Sequence, residues 1–251
     1  MIRIEQTEVV GWEAAIRGMR NPMNSWDKSD STACPCWFND FGDCEMVEEG
    51  NEPAIECNDG KYGFCIGVND YELMKKLAKA GPEHRKFMRM IVVYCDITAP
   101  LYWCKEFDTY KVGTVVNSCS TMHKIHSKEF TLEDFSCEHL ISDEPVPGTV
   151  LSPMQYMTWL ICALNGCRDM FLRTKDKRWW WQLIQLLPSS YNQKRTVMMN
   201  YEVLMNIYKP TNRQHHKLDE WNVDFHGSFC HWIETLPYSG LITGKEGEAD
   251  G

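Results

Sequence analysis

The sequence predicts an α+β fold, with a mixed sheet early in the chain packed by helices and a predominantly helical second half. Two strand-like runs, "MIRIEQT" and "RMIVVYCDIT", fall within the first hundred residues. Beyond the proline-marked loop "ISDEPVPGTVLSP", apolar residues recur at helical spacing almost to the end. No internal repeat competes with this reading, and strands followed by helices are the pattern of an α+β domain.

Ile2 and Ile4 alternate with polar neighbours, as in a half-buried strand. "TEVVGWEAAIRGMR" has helix-forming composition and ends before Asn21-Pro22, where the residue preceding proline resists the helical region. Residues 24–61 are rich in Asp, Asn, Gly, Pro and Cys without a sustained period and read as an irregular excursion. "NDYELMKKLAKAG" predicts a helix with Asn69 or Asp70 as its cap, Leu73, Met74, Leu77 and Ala78 on one face, and Gly81 as its stop. "RMIVVYCDIT" is too apolar to alternate and predicts a strand buried on both sides. Pro100 permits a helix over Leu101 to Phe107. Further helices are expected over Met154 to Leu172, Trp179 to Leu187, Thr196 to Tyr208 and His216 to Leu236. Three consecutive tryptophans, Trp179 to Trp181, cannot all face one side of a helix, so at least one should pack against another element or a partner chain. Residues 1–240 read as a single domain and 241–251 as a flexible tail.

With 251 residues, 43% of them hydrophobic, the chain can bury a sizeable core. No apolar run approaches the roughly 20 residues that cross a bilayer, and the opening segment is too polar for a signal peptide, so a cytoplasmic protein is expected. Twelve cysteines scattered through a chain of this size read as reduced thiols. A formal net charge of −9 disfavours a nucleic-acid partner but leaves a small nucleotide in a local pocket open.

Four constellations could carry chemistry. Cys34, Cys36, Cys44 and Cys57 could hold zinc, but they lack paired C-x-x-C knuckles and are better read as unligated thiols. "GPEHRKFMR" places His84, Arg85, Lys86 and Arg89 at the entry to a strand, where anions often bind; a solvated basic turn explains it equally well. "EFDTYKVGTVVNSCSTMH" crowds Lys111, Asn117, Ser118, Ser120 and Thr121 around Gly113, which lets backbone approach a ligand. His123 and His126 lie just beyond, without the partners of a nucleophilic triad. Leu187 to Trp221 reads as helix, basic loop with Arg213, His215, His216 and Lys217, then helix: a cradle for phosphate or flavin, or an ordinary helical hairpin.

In this order the segments resemble the flavin-dependent thymidylate synthases, which methylate dUMP using FAD and methylenetetrahydrofolate. "GPEH" before "FMRMIVVYCDI" is similar to that family's Gly-His element and strand. Glu106-Phe107 stands where the family has Gln and an aromatic, Thr109-Tyr110-Lys111 (or, slid by one, Tyr110-Lys111-Val112) where it has Arg-His-Arg, the first register keeping a cation at Lys111, and Ser120 is the Ser that follows. "LP", "NYEVLMN" and "HHKLDEW" resemble its Leu-Pro turn, Asn-rich helix and His-x-x-Gln-x-Glu stretch. The family arginines that grip dUMP fall on Thr109, Glu202 and Trp221, none of which supplies a guanidinium fork. Losing one such donor to a buried phosphate costs about 2–5 kcal/mol, so Lys111, Arg195 or Arg213 would have to compensate.

The resemblance implies a divergent thymidylate synthase-like enzyme that methylates dUMP or a related pyrimidine nucleotide with FAD, NADPH and methylenetetrahydrofolate, assembled as a homotetramer. It implies cofactor contacts by His84, Lys86, Lys111, Asn117, His215 and Lys217, and substrate contacts by Glu106, Tyr110, Ser120 and Arg195. No metal is expected. The competing expectations are a nucleotide-binding or scaffold protein that keeps the fold without catalysis, and an enzyme for a modified nucleotide.

Overall fold

The computed structural model describes residues 1–33 and 64–245. Strand β1 (Arg3–Val10) leads through Gly11 into helix α1 (Trp12–Arg20). Gly11 sits at φ 96°, and a Cβ there would lie 2.1 Å from the Met90 carbonyl oxygen, so no other residue fits this turn. Trp12, Ala15, Ile16 and Met19 form the buried stripe of α1 at helical spacing. β2 (Thr32–Ala33) pairs antiparallel with β3 (Phe64–Cys65). The helix expected at Asn69 is α2 (Val68–Lys79), but neither Asn69 nor Asp70 caps it. Asp30 accepts from the backbone N–H groups of Asn69 at 2.8 Å and Asp70 at 3.0 Å. Asp70 instead turns inward to Arg20.

β4 (Val92–Pro100) runs straight into α3 (Leu101–Phe107), as the proline predicts. It is not buried on both sides: Tyr94 is exposed, and burial alternates through Val93, Cys95, Ile97 and Ala99, because one face lacks a covering layer. β5 (Val115–Ser118) is short and exposed throughout. α4 (Pro153–Thr174) begins with a reciprocal cap, Ser152 Oγ accepting from Gln155 N–H and Gln155 Oε1 accepting from Ser152 N–H. α5 (Lys177–Leu186) is capped by Asp176.

The helix expected over Thr196 to Tyr208 is half strand: β6 (Asn192–Asn200) gives way to α6 (Tyr201–Tyr208), with Asn200 Oδ1 capping Val203 N–H at 3.1 Å. Only part of the His216 to Leu236 helix exists, as α7 (Phe229–Glu234); turns precede it, and Gly227 at φ 83° ends any continuous helix. In α8 (Gly240–Thr243) Leu241 and Ile242 are buried, contrary to a flexible tail from 241. Cys34, Cys36, Cys44 and Cys57 lie outside the described residues.

One sheet has the strand order β1-β4-β6-β5. The chain divides into two compact units. The first comprises Met1–Arg3, Asp96–Thr109 and Val116–Thr196, with Ile125, Phe130, Phe135, Met157, Leu164 and Leu183 at its core. The second comprises Ile4–Cys95, Tyr110–Val115 and Val197–Gly251. Within it the Trp12 ring meets Tyr201 and Tyr238 edge-on, and Tyr201 donates to the Pro237 carbonyl at 2.5 Å. The fold class is thus α+β as expected, with one sheet strand taken from late in the chain.

Candidate functional site

In the first unit the chain leaves β5 into a loop, Cys119 to Lys124, that is tied at its first residue and again at Met122. Cys119 N–H donates to the Lys194 carbonyl at 2.9 Å, and the Cys119 carbonyl accepts from Gln193 Nε2 at 2.6 Å. Gln193 is held in turn by Arg195, whose Nε donates to Gln193 Oε1 at 3.0 Å and whose Nη1 reaches Asp108 Oδ1 at 2.6 Å. Gln193 and Arg195 are both buried, so this relay from the end of α3 fixes the loop through geometry rather than bulk. Ser120 Oγ accepts from Met122 N–H at 3.2 Å and His123 N–H at 2.8 Å, closing a local turn. Trp180 donates its indole N–H to the Met122 carbonyl at 3.1 Å, which gives one of the three tryptophans its partner; Trp181 stays exposed.

The loop lines a cavity of about 490 Å³. Arg3, Lys124, Lys128 and Lys194 put cations on its wall, Ser120 and Thr121 add hydroxyls, and Glu133 and Asp134 are its acids. Lys128 is paired with Asp134, and Lys194 lies 2.9 Å from Asp96. The Thr196 hydroxyl, and after it Lys194, holds the Asp96 carboxyl below the ordinary range. Arg3 and Lys124 make no ion pair with a described residue. Two uncommitted cations beside two hydroxyls are a donor set for a compact anion.

The three positions where the resembled family carries arginine are each occupied by other interactions. Thr109 Oγ1 donates to the Glu106 carbonyl at 2.7 Å and closes α3. Glu202 pairs with Arg89 and, at 3.4 Å, with Arg85. Burial alone would raise the Glu202 pKa, but the two guanidiniums outweigh it and hold the carboxyl below its usual value. Trp221 is fully buried, with the Arg213 guanidinium 5.0 Å from its ring centre. Arg213 also donates through Nε to the Tyr110 hydroxyl at 3.0 Å, and that hydroxyl donates to Asn212 Oδ1 at 3.1 Å.

The structure brings one predicted site residue, Ser120, into the first-unit cavity. Arg195 lies beside it but is committed to Asp108 and Gln193, so it positions the loop instead of offering a guanidinium to substrate. Asn117 is exposed on β5, and Glu106 is half-buried on α3. In the second unit Tyr110 is taken up by Arg213 and Asn212. His84, Lys86, Lys111, His215 and Lys217 are all exposed there; Lys86 pairs with Glu83 at 3.2 Å, and His215 Nδ1 lies 4.0 Å from Asp224.

Sequence reasoning missed Arg3, Lys124, Lys128, Gln193 and Lys194. Lys124 and Lys128, shortly after Ser120 in "STMHKIHSK", were a usable signal. Lys194 was hidden by reading this segment as outside any strand: on β6, Gln193 and Arg195 turn inward and Lys194 outward.

No family model matches the sequence, and no curated protein matches it either. Solved structures do. Thymidylate synthase X from Helicobacter pylori, with FAD and dUMP, superposes with a TM-score of 0.58 at 13% identity, covering 97% of this chain and 97% of that one. The UMP/dUMP methylase PolB from Streptomyces cacaoi, bound with 5-Br dUMP, superposes with a TM-score of 0.53 at 13% identity, covering 97% and 95%. Over nearly its whole length, this chain has the fold of flavin-dependent thymidylate synthase X.

Proposed function

We propose that this chain is a thymidylate synthase X-like nucleotide methyltransferase acting on a pyrimidine nucleoside monophosphate. The observation that carries the reading is that a chain with this fold has a cationic, hydroxyl-lined cavity at Ser120, the residue the family motif places at substrate. Both UMP and dUMP are candidate substrates, since the Streptomyces neighbour is a methylase for both. FAD is the proposed cofactor, with methylenetetrahydrofolate as carbon donor and NADPH as reductant. The residues the resemblance assigns to the cofactor include Lys111 and Lys217, exposed cations that make no ion pair with a described residue, and the exposed His84 and His215, all groups able to donate to a diphosphate. When bound, the flavin supplies reducing equivalents for the methylation. The protein's share is orientation, and the Asp108–Arg195–Gln193 relay supplies it at the Ser120 loop.

The exposed aromatics Tyr156 and Trp159 on α4 and Trp181 on α5 support a homotetramer, in which such a face would be covered. No helix among the described residues is long and apolar enough to cross a membrane. A cytoplasmic location agrees with the thiols of Cys104, Cys119, Cys162 and Cys230.

One observation favours a second reading, a nucleotide-binding protein without catalysis: Glu202 and Trp221 turn family arginine positions over to internal contacts. The visible absorption spectrum of untreated protein separates the two. The enzyme reading expects flavin bands, or their appearance on adding FAD, followed by methylation of dUMP or UMP when methylenetetrahydrofolate and NADPH are supplied. No flavin under either condition would overturn it.

A further inference from the structure

We infer that the first-unit cavity is a phosphate-monoester site in which Arg3 and Lys124 are the cations that hold the anion. The identity of the nucleotide rests on the function proposed above; the phosphate chemistry rests on the cavity alone.

The cations on the wall are not equivalent. Lys128 and Lys194 already face carboxylates, Asp134 and Asp96, whereas Arg3 and Lys124 have no such partner among the described residues. In a chain of net charge −9, Arg3 and Lys124, set against Glu133 as the one wall carboxylate with no ion pair among the described residues, leave the wall with a local excess of positive charge. A monoester phosphate carries about −1.5 to −2 at neutral pH, enough to engage both cations in preference to the single Glu133 carboxylate. Ser120 Oγ already accepts two backbone N–H bonds, which leaves its own O–H as the donor toward the cavity, with Thr121 beside it.

These groups are held before any ligand arrives. The loop carrying Ser120, Thr121 and Lys124 is fixed by Gln193 at the Cys119 carbonyl and by Trp180 at the Met122 carbonyl. Binding therefore orders little new backbone. A volume of about 490 Å³ falls in the range of small-molecule pockets, large enough for a nucleoside monophosphate. Polyanionic nucleic acid is disfavoured by the overall charge.

The test is isothermal titration of the full-length protein with dUMP, UMP, deoxyuridine and inorganic phosphate. The monophosphates are expected to bind at least about a hundredfold more tightly than deoxyuridine, and inorganic phosphate to compete with dUMP. Lys124→Ala and Arg3→Ala should each weaken dUMP by about tenfold or more, and Lys128→Ala by less, because Lys128 is already paired. Lys124→Arg should restore most of the loss. Equal affinity for dUMP and deoxyuridine, or unchanged dUMP affinity in Lys124→Ala and Arg3→Ala, would overturn the assignment. Thermal melts confirm that each variant folds, as expected for wall residues outside the core. Phosphate-dependent binding without flavin would sink the enzyme reading and leave this site standing. Flavin and turnover with no preference for the phosphate would do the reverse.

Discussion

Asp70→Ala is expected to lower stability by about 3–5 kcal/mol, a large share of the 5–15 kcal/mol that holds a typical domain. Asp70 is fully buried and accepts from Arg20 Nε at 2.6 Å, Ser29 Oγ at 2.7 Å and Ser31 Oγ at 2.6 Å. It also accepts backbone N–H groups from Asp30 and Ser31, each at 3.2 Å. Arg20 is 4% exposed and uses its other nitrogens on the Ser25 and Lys28 carbonyls, so removing the carboxylate strands a buried guanidinium. Burial by itself would raise the Asp70 pKa; the bonds from Ser31, Ser29 and Arg20 outweigh it and hold the carboxyl below its ordinary range.

The sign of the pH dependence follows. The contribution is complete above the unfolded carboxylate value of about 3.9 and is lost as pH falls through the lower folded value. Urea unfolding curves should show the deficit at pH 7, and the wild-type loss of stability below about pH 4 should shrink in the variant. A deficit under about 1 kcal/mol would mean the network contributes little.

Glu202→Arg should be comparably damaging, although it restores the residue type that the resembled family carries there. The incoming guanidinium would meet Arg85 and Arg89, whose present partner is the Glu202 carboxylate. Arg89 is largely solvent-exposed, which tempers its share; Arg85 and Glu202 are close to buried. Three cations at a site built for two and one anion should cost about 3–5 kcal/mol and give no gain in dUMP affinity. Urea unfolding and dUMP titration of the same variant decide it. A stable protein with tighter nucleotide binding would show that position 202 still belongs to a ligand site.

The contrast between these positions shows what a linear sequence reveals. Helices α2, α4 and α5 announced themselves through spacing and flanking stops, and the order of degenerate segments sufficed to identify the fold. β6 escaped because its inward residues include Gln193 and Arg195, which erase the alternation a hydrophobic face would show. The same two residues form the relay to Cys119, so one polar inward face hid both a strand and the support of a site. The cap of α2 was illegible for another reason: Asp30 reaches it from a distant part of the chain. Ser120 was readable from its motif, whereas Arg3 and Lys194 become neighbours of it only through folding.

Cys119, at the anchored end of the Ser120 loop, gives the cavity a chemical vulnerability. Burial pushes the Cys104 thiol up to about 11 and the Cys230 thiol up to about 12, which keeps both inert, while Cys119 is open to solvent on the cavity wall. Peroxide that advanced this sulfur to a sulfinate would install a permanent negative group among Arg3, Lys124 and Lys194. The pocket would then carry its own counter-ion, and its capacity for an outside anion would be lost for good.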